Sequence, residues 1–276
     1  LYFGFDPTQR GWLNDMKSYM PPVQIGEVMR SSTISQVIES NVVGFQEGDL
    51  VQGSFGWQEF AITDGKAGFL NASKIPEGVS PTASLSVFGV TGLTAYFGVT
   101  KISKPNPGDT VLITGAAGGV GSIAGQIFKI AGCKVIGIAG GKEKCEILID
   151  EFGFDGAIDY RSDDLNDSIK KLCPEGVNVL YDNVGGRILN DCLNHLAMNA
   201  RVAICGIISR HKTDNSNFGP ENYSNLIFKR ATMQGFIVID YMAEAETARK
   251  QIKNWISEGK INCKEDMQEG FENAPS

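Results

Sequence analysis

From Asp109 onward the apolar positions keep two alternating rhythms. "TVLIT" is a short continuous apolar run, as expected of a strand buried on both faces, and "GSIAGQIFKIAG" then sets Ile123, Ile127 and Ile130 at helical spacing. "KVIGIA" predicts a second strand, and "KEKCEILIDEFG" a second helix that stops at Gly153. "GAIDY" predicts a third strand, followed by an amphipathic helix around "LNDSIKKLC". "VNVLYD" and "RVAICGII" predict a fourth and a fifth strand, separated by a helix through "RILNDCLNHLAM". Five strand–helix alternations predict an α/β fold with a doubly wound parallel sheet, because right-handed crossovers place helices on both faces. "ATMQGFIVI" reads as a further strand, and "EAETARKQIKNWISEG" as an amphipathic helix ending at Gly259.

Residues 1 to about 90 differ. They are rich in Gly and Ser, and stretches such as "GDLVQGSFGWQEFAI" alternate turn residues with Val, Phe and Trp, the pattern of short antiparallel strands. No repeat or low-complexity linker is visible, so the domain boundary rests on the change of pattern near residues 90 to 105.

Composition narrows the function classes. The 276 residues are 42% hydrophobic and 21% charged, ordinary for a globular protein, and suffice for one large domain or two smaller ones. A formal charge of −7 without any long basic run argues against nucleic-acid or anionic-membrane partners. No apolar stretch is long enough to span a bilayer. No leader-like segment is visible, and the start at Leu1 suggests that the natural N-terminus lies further upstream. The six cysteines contain no C-x-x-C pair, which suits reduced thiols in a cytoplasmic protein, and two histidines offer little for zinc.

Candidate chemistry begins at "TGAAGGVGS", between the first strand and its helix. Gly115, Gly118 and Gly121 fall at three-residue intervals, where a tight turn must let a pyrophosphate reach the backbone and the helix N-terminus. An NAD-selective site holds the ribose 2′-OH with an acid about 20 residues further on. Ala139 to Gly141 stand there instead, with Lys142 and Lys144 just beyond and Tyr160 closing the third strand. Positive charge at that edge suits a 2′-phosphate, so the expected cofactor is NADP(H).

Together "AAGGVGS…GQIFKIAGCKVIGIAGG", "YDNVGG", "GVTGLTAYFG" and "PPVQIGEVM" resemble the zinc-free medium-chain dehydrogenase/reductases, and most closely their NADP-dependent double-bond reductases. The resemblance spans nearly the whole chain. It implies a Rossmann domain at 91–258 and a partial GroES-like catalytic domain at 1–90, to which 259–276 return. It also implies a homodimer, and segments before Leu1 and after Ser276 that complete the catalytic domain. Carried over by position, Lys144 and Tyr160 match the 2′-phosphate contacts, while Gly118, Gly119, Val120 and Gly121 match the pyrophosphate turn. Asn183, the loop Cys205, Gly206, Ile207 and Ser209, and the stretch Phe236, Ile237 and Val238 match positions along the cofactor, with Thr94 near the nicotinamide. Zinc-dependent relatives carry Gly-His-Glu where this chain has Ile25, Gly26 and Glu27, so no metal is implied.

Chemistry without a Lewis acid requires an electrophilic substrate, and a conjugated enal or enone fits: hydride enters the β-carbon while charge spreads to the carbonyl oxygen. The chain departs from the family in "ISRHK", where His211 stands in place of a tyrosine that contacts the nicotinamide ribose and the substrate oxygen. His211 is therefore the catalytic candidate, against the reading of an exposed loop histidine. A short-chain dehydrogenase is disfavoured, since no tyrosine is followed by lysine at Y-x-x-x-K spacing. A quinone reductase of the same superfamily and a non-catalytic NADPH-binding protein remain as alternatives.

Overall fold

The turn-rich first ninety residues pair as short antiparallel strands, as their pattern suggests. In the computed structural model, which describes residues 1–15, 18–66, 71–211 and 219–274, β1 (Tyr2–Phe3), β2 (Thr33–Gln36), β3 (Leu50–Gly53) and β4 (Ser73–Lys74) form one sheet in that order. The long run "GDLVQGSFGWQEFAI" is a strand only as far as Gly53. The Phe55 ring folds back to within 2.5 Å of where a Gly53 side chain would begin, and Gly56 turns the chain at φ +75°. Two short helices accompany the sheet. α1 (Pro7–Trp12) starts on a reciprocal Asp6–Gln9 capping box with proline in its first turn, and α2 (Pro81–Leu85) starts on Ser80. These elements lie in one compact unit, Leu1–Gly89 with Lys264–Ser276.

The second unit, Val90–Cys263, holds the parallel sheet. It opens with α3 (Val90–Phe97), which runs on as a π-helical turn, Gly98–Ser103, and stops at Lys104 in the left-handed region. Alternation then follows: β5 (Thr110–Thr114), α4 (Gly119–Ile130), β6 (Lys134–Ala139), α5 (Lys142–Asp150), β7 (Gly156–Asp159), α6 (Leu165–Leu172), β8 (Val177–Asp182), α7 (Gly186–Leu193) and β9 (Leu196–Ile204). α8 (Asn225–Lys229), β10 (Thr232–Gly235) and α9 (Ala245–Ser257) complete it. All six strands pair parallel in the order β10-β9-β8-β5-β6-β7. The chain thus winds outward from β5 through β6 and β7, then returns to the other side of β5 with β8. The expected class, a doubly wound sheet beside a β-rich domain, is what forms.

Burial follows the two rhythms. Leu112, Ile136, Ile138, Ile158, Leu180 and Val202 from the strands pack with Ile169, Leu189 and Leu193 from the helices in one core cluster. α4 buries Ile123, Ile127 and Phe128. Two expectations need correction. "LAM" belongs to β9 rather than to the preceding helix, because the His195 carbonyl accepts from the Val177 N–H (2.8 Å) and the chain docks on β8 from there. "ATMQGFIVI" is a strand only over β10, and Phe236 and Ile237 lie beyond it.

Candidate functional site

Three helices at the C-terminal edge of the sheet begin without a side-chain cap. α4, α5 and α7 start after Gly118, Gly141 and Gly185, none of which has a side chain to offer, whereas α6 starts on Asp164, whose carboxylate accepts from Asp167. The first backbone N–H groups of an α-helix have no intrahelical partner, and the helix dipole gives them partial positive charge. Those of α4 and α7 flank the gap between β5 and β8. That gap is where the winding reverses, the place at which open α/β sheets bind ligands.

The turn into α4 is shaped by close backbone approach. A side chain at Gly121 would begin 2.5 Å from the Gly115 carbonyl oxygen and 2.8 Å from Ala116 Cα. One at Gly118 would begin 3.2 Å from the Gly115 oxygen, and one at Gly119 would meet Thr91 of α3 at 2.9 Å. Val120 is half-buried on the first turn of α4. Gly115 itself, at φ +60°, makes the left-handed step that lets the strand turn.

Opposite this turn, one buried carboxylate organises the ends of β5 and β8. Asp182 Oδ1 accepts from Thr114 Oγ1 (2.6 Å) and the Val184 N–H (3.3 Å), and Oδ2 accepts from the Gly185 N–H (2.9 Å). Thr114 Oγ1 in turn accepts from the Asn183 N–H (2.9 Å), and Asn183 Nδ2 donates to the Thr114 carbonyl (2.7 Å). Asn183 is thereby fixed beside Gly115. Burial pushes the Asp182 carboxyl above its ordinary value, and the bonds from Thr114, Val184 and Gly185 oppose that shift.

The loop after β9 rests on the same turn. The N–H groups of Cys205 and Gly206 both donate to the Asp182 carbonyl (2.8 and 3.1 Å), and the Ser209 N–H donates to the Val184 carbonyl (3.0 Å). Gly185 and Gly186, at φ +73° and +62°, leave room for the Ser209 hydroxyl. Ile207 is exposed. His211 closes a 3₁₀ turn, Ile208–His211, and its side chain lies outside the described residues.

Thr94 lies on α3, its hydroxyl donating to the Val90 carbonyl (2.7 Å). Tyr181 runs beneath this helix fully buried, and its phenol donates to the Thr94 carbonyl (3.2 Å). Gly98 makes the passage possible, since any side chain there would collide with the Tyr181 hydroxyl and the Phe236 ring. Phe236 stands edge-on to Tyr181 at 6.4 Å. Ile237 is half-buried, while Val238 packs into a cluster with Leu93, Phe97, Ala245 and Ala248, a core contact.

At the far end of the gap, β6 runs out at Ala139 and β7 at Asp159. The Tyr160 N–H donates to the Ala139 carbonyl (3.1 Å), which brings Tyr160 across to Gly140. A side chain at Gly140 would begin 2.9 Å from the Tyr160 hydroxyl, so an acid at that position would have to displace the Tyr160 ring. Lys144 is exposed on the first turn of α5, and Lys142 pairs with Glu146 at 3.6 Å. Cations are disfavoured at a helix N-terminus, so a lysine held there without an ion-pair partner among the described residues breaks a local rule, as functional positions do. His195 instead bonds Asn166 Oδ1 at 3.0 Å, a structural contact. Tyr181, Asp182 and Thr114 were not singled out from the sequence. "YDNVGG" pointed to Asn183, but a buried aspartate before a Gly-Gly turn was itself the available signal.

A pyrophosphate fits the glycine turn, where missing side chains leave the α4 N–H groups open, and a 2′-phosphate fits the end of β6, where Gly140 and Gly141 stand in place of an acid. Among the described residues no group of three or more His, Cys, Asp or Glu is placed to hold a metal ion. Fold and crevice suit a protein that binds NADP(H). The family described as "Zinc-binding dehydrogenase" matches residues 119–254, and "N-terminal domain of oxidoreductase" matches residues 1–70. The NADPH-dependent curcumin reductase of Escherichia coli (strain K12) is 38% identical over 280 residues, covering 100% of this chain and 80% of that protein. The 2-alkenal reductase (NADP(+)-dependent) of Nicotiana tabacum is 34% identical over 279 residues, covering 100% and 80%. The crystal structure of CurA in complex with NADPH from Vibrio vulnificus is 39% identical. It superposes with a TM-score of 0.92 over 99% of this chain and 82% of that one. The chain belongs to the zinc-free medium-chain dehydrogenase/reductases, in their NADP-dependent double-bond reductase group.

Proposed function

We propose that this protein reduces the C=C bond of α,β-unsaturated aldehydes and ketones with NADPH. The observation that carries the reading is the glycine-lined crevice at the β5–β8 switch point, in a chain similar over its whole length to the curcumin and 2-alkenal reductases. When bound, NADPH supplies the hydride. The chain's residues hold and orient. Gly118, Gly119, Val120 and Gly121 receive the pyrophosphate at the start of α4, and Lys144 with Tyr160 holds the 2′-phosphate. Asn183, Thr94, Cys205, Gly206, Ile207, Ser209 and the stretch Phe236, Ile237 and Val238 shape the remaining length of the site. The substrate's β-carbon is the electrophile, and the charge that develops on its carbonyl oxygen requires a hydrogen-bond donor, a role we assign to His211. The α-carbon takes its proton from solvent.

Assayed with NADPH on a panel of 2-alkenals, enones and quinones, the protein is expected to turn over the enals and enones, and the His211→Ala variant to do so more slowly. Turnover of quinones alone would favour the quinone reductase reading. Binding of NADPH without turnover of either class would leave a cofactor-binding protein. For the cofactor, Lys144→Ala is expected to weaken NADPH binding several-fold and leave NADH binding unchanged. A charge-assisted contact in partly wet surroundings is worth about 1–2 kcal/mol. Equal losses for both cofactors would remove the 2′-phosphate assignment.

In this reading residues 91–258 are the NADP-binding domain, and 1–90 with 259–276 the catalytic one. A homodimer is supported by β10, the edge strand of the parallel sheet, beside which Ile227 and Phe228 of α8 are 72% and 64% exposed. Sedimentation is expected to give twice the 29.8 kDa chain mass; a single-chain mass at micromolar concentration would exclude it. A cytoplasmic setting agrees with six cysteines whose spacing contains no C-x-x-C pair. No described helix is long and apolar enough to cross a membrane.

A further inference from the structure

We propose that Arg161 is the second cation of the 2′-phosphate subsite and a determinant of NADP over NAD selectivity; this deepens the assignment of Lys144 and Tyr160 to that subsite and rests on it. Arg161 follows β7 directly, and its Nε lies 3.0 Å from the point where a side chain at Gly140 would begin, alongside the Tyr160 hydroxyl at 2.9 Å. Guanidinium and phenol together therefore occupy the space in which an NAD-type site carries its carboxylate. The Arg161 guanidinium carbon stands 6.0 Å from the centre of the Tyr160 ring. The guanidinium forms no ion pair within 4 Å of any described acid, and its charge is among those that hold Asp159 ionised.

The chemistry of the donors points the same way. A ribose diol is recognised by a hydrogen-bond acceptor, whereas Arg and Lys are donors only and suit a phosphate dianion. The acid nearest the subsite, Asp159, has both oxygens engaged within its own turn. Its Oδ1 accepts from the N–H groups of Gly141 (2.8 Å) and Arg161 (3.0 Å), and its Oδ2 accepts from the Ser162 hydroxyl (3.1 Å). Those bonds, led by the one from Gly141, hold the Asp159 carboxyl below its ordinary value, so it is a fixed negative charge at neutral pH. They also tie the loop after β6 to the turn after β7, which fixes Arg161 against Gly140. A phosphate dianion placed beside this carboxylate faces more negative charge than Lys144 alone offsets, since Lys142 already pairs with Glu146. Arg161 supplies the missing positive charge.

The test measures binding of NADP⁺, NAD⁺, adenosine 2′,5′-bisphosphate and AMP by calorimetry to wild type, Arg161→Gln, Arg161→Lys and Lys144→Ala. Arg161→Gln is expected to weaken NADP⁺ and the bisphosphate about tenfold. NAD⁺ and AMP should stay within about twofold, and Arg161→Lys should restore part of the loss. Because Arg161 is exposed, the melting temperature should move by no more than about a degree. If Arg161→Gln binds NADP⁺ like wild type while Lys144→Ala loses NADP⁺ selectively, Arg161 is not a phosphate contact and the subsite stands without it. If both variants lose NADP⁺ and NAD⁺ equally, the subsite assignment falls as well.

Discussion

Replacing Gly121 with alanine is expected to weaken NADPH binding about a hundredfold, because the new methyl group meets only backbone. It would begin 2.5 Å from the Gly115 oxygen, 2.8 Å from Ala116 Cα and 2.9 Å from the Ala116 oxygen, and no side chain can rotate out of the way. The start of α4 must therefore move off the end of β5, and the N–H groups that receive the pyrophosphate move with it. Overpacking of this kind costs about 1–3 kcal/mol of stability in addition. Gly119→Ala is the internal control. Its methyl group meets the Thr91 side chain at 2.9 Å, which can turn away, so its loss should be smaller. Calorimetric titration with NADPH checks the order. A Gly121→Ala protein that binds as tightly as Gly119→Ala would mean that the turn does not carry the pyrophosphate.

The sequence made this turn legible because glycine at fixed spacing between a strand and a helix is a local signal. The strand order was equally accessible, since five alternations and right-handed crossovers leave few topologies. Short strands in the first ninety residues were legible too, but not the end of β3 at Gly53, because the folding back of Phe55 onto Gly53 is a tertiary event. The end of α7 was missed for a related reason. "LNHLAM" keeps helical periodicity, but pairing of residue 196 onward with β8 is worth more than one further helical turn. Lys144 and Tyr160 were read from their positions, yet Arg161 was not. Its contribution depends on β7 lying beside β6, which brings two loops about 20 residues apart over a single glycine. Tyr181 and Asp182 were hidden in the same way: both read as strand residues, and only the packing shows what their polar atoms meet.

Asp182→Ala is expected to have the largest effect on the scaffold of the site, lowering stability by about 3 kcal/mol and weakening NADPH binding by at least about tenfold. The substitution leaves the Gly185 N–H and the Thr114 hydroxyl without their acceptor inside a buried turn, and leaving buried donors unpaired costs more than their bonds contribute. It also releases the turn that holds Asn183 against Thr114 and carries the loop after β9. The pH dependence separates the carboxyl from the rest of the turn. Burial raises the Asp182 pKa in the folded chain above the ordinary 3.8, so the folded state keeps this proton to higher pH than the unfolded chain does. The group's contribution to stability is therefore greatest below the unfolded value and declines as pH rises from there through the folded value. Urea denaturation of wild type and Asp182→Ala should show a stability difference that narrows with increasing pH across that window. A difference that widens instead would mean that the folded turn favours the ionised carboxylate, and that its donors from Thr114, Val184 and Gly185 outweigh the loss of solvent.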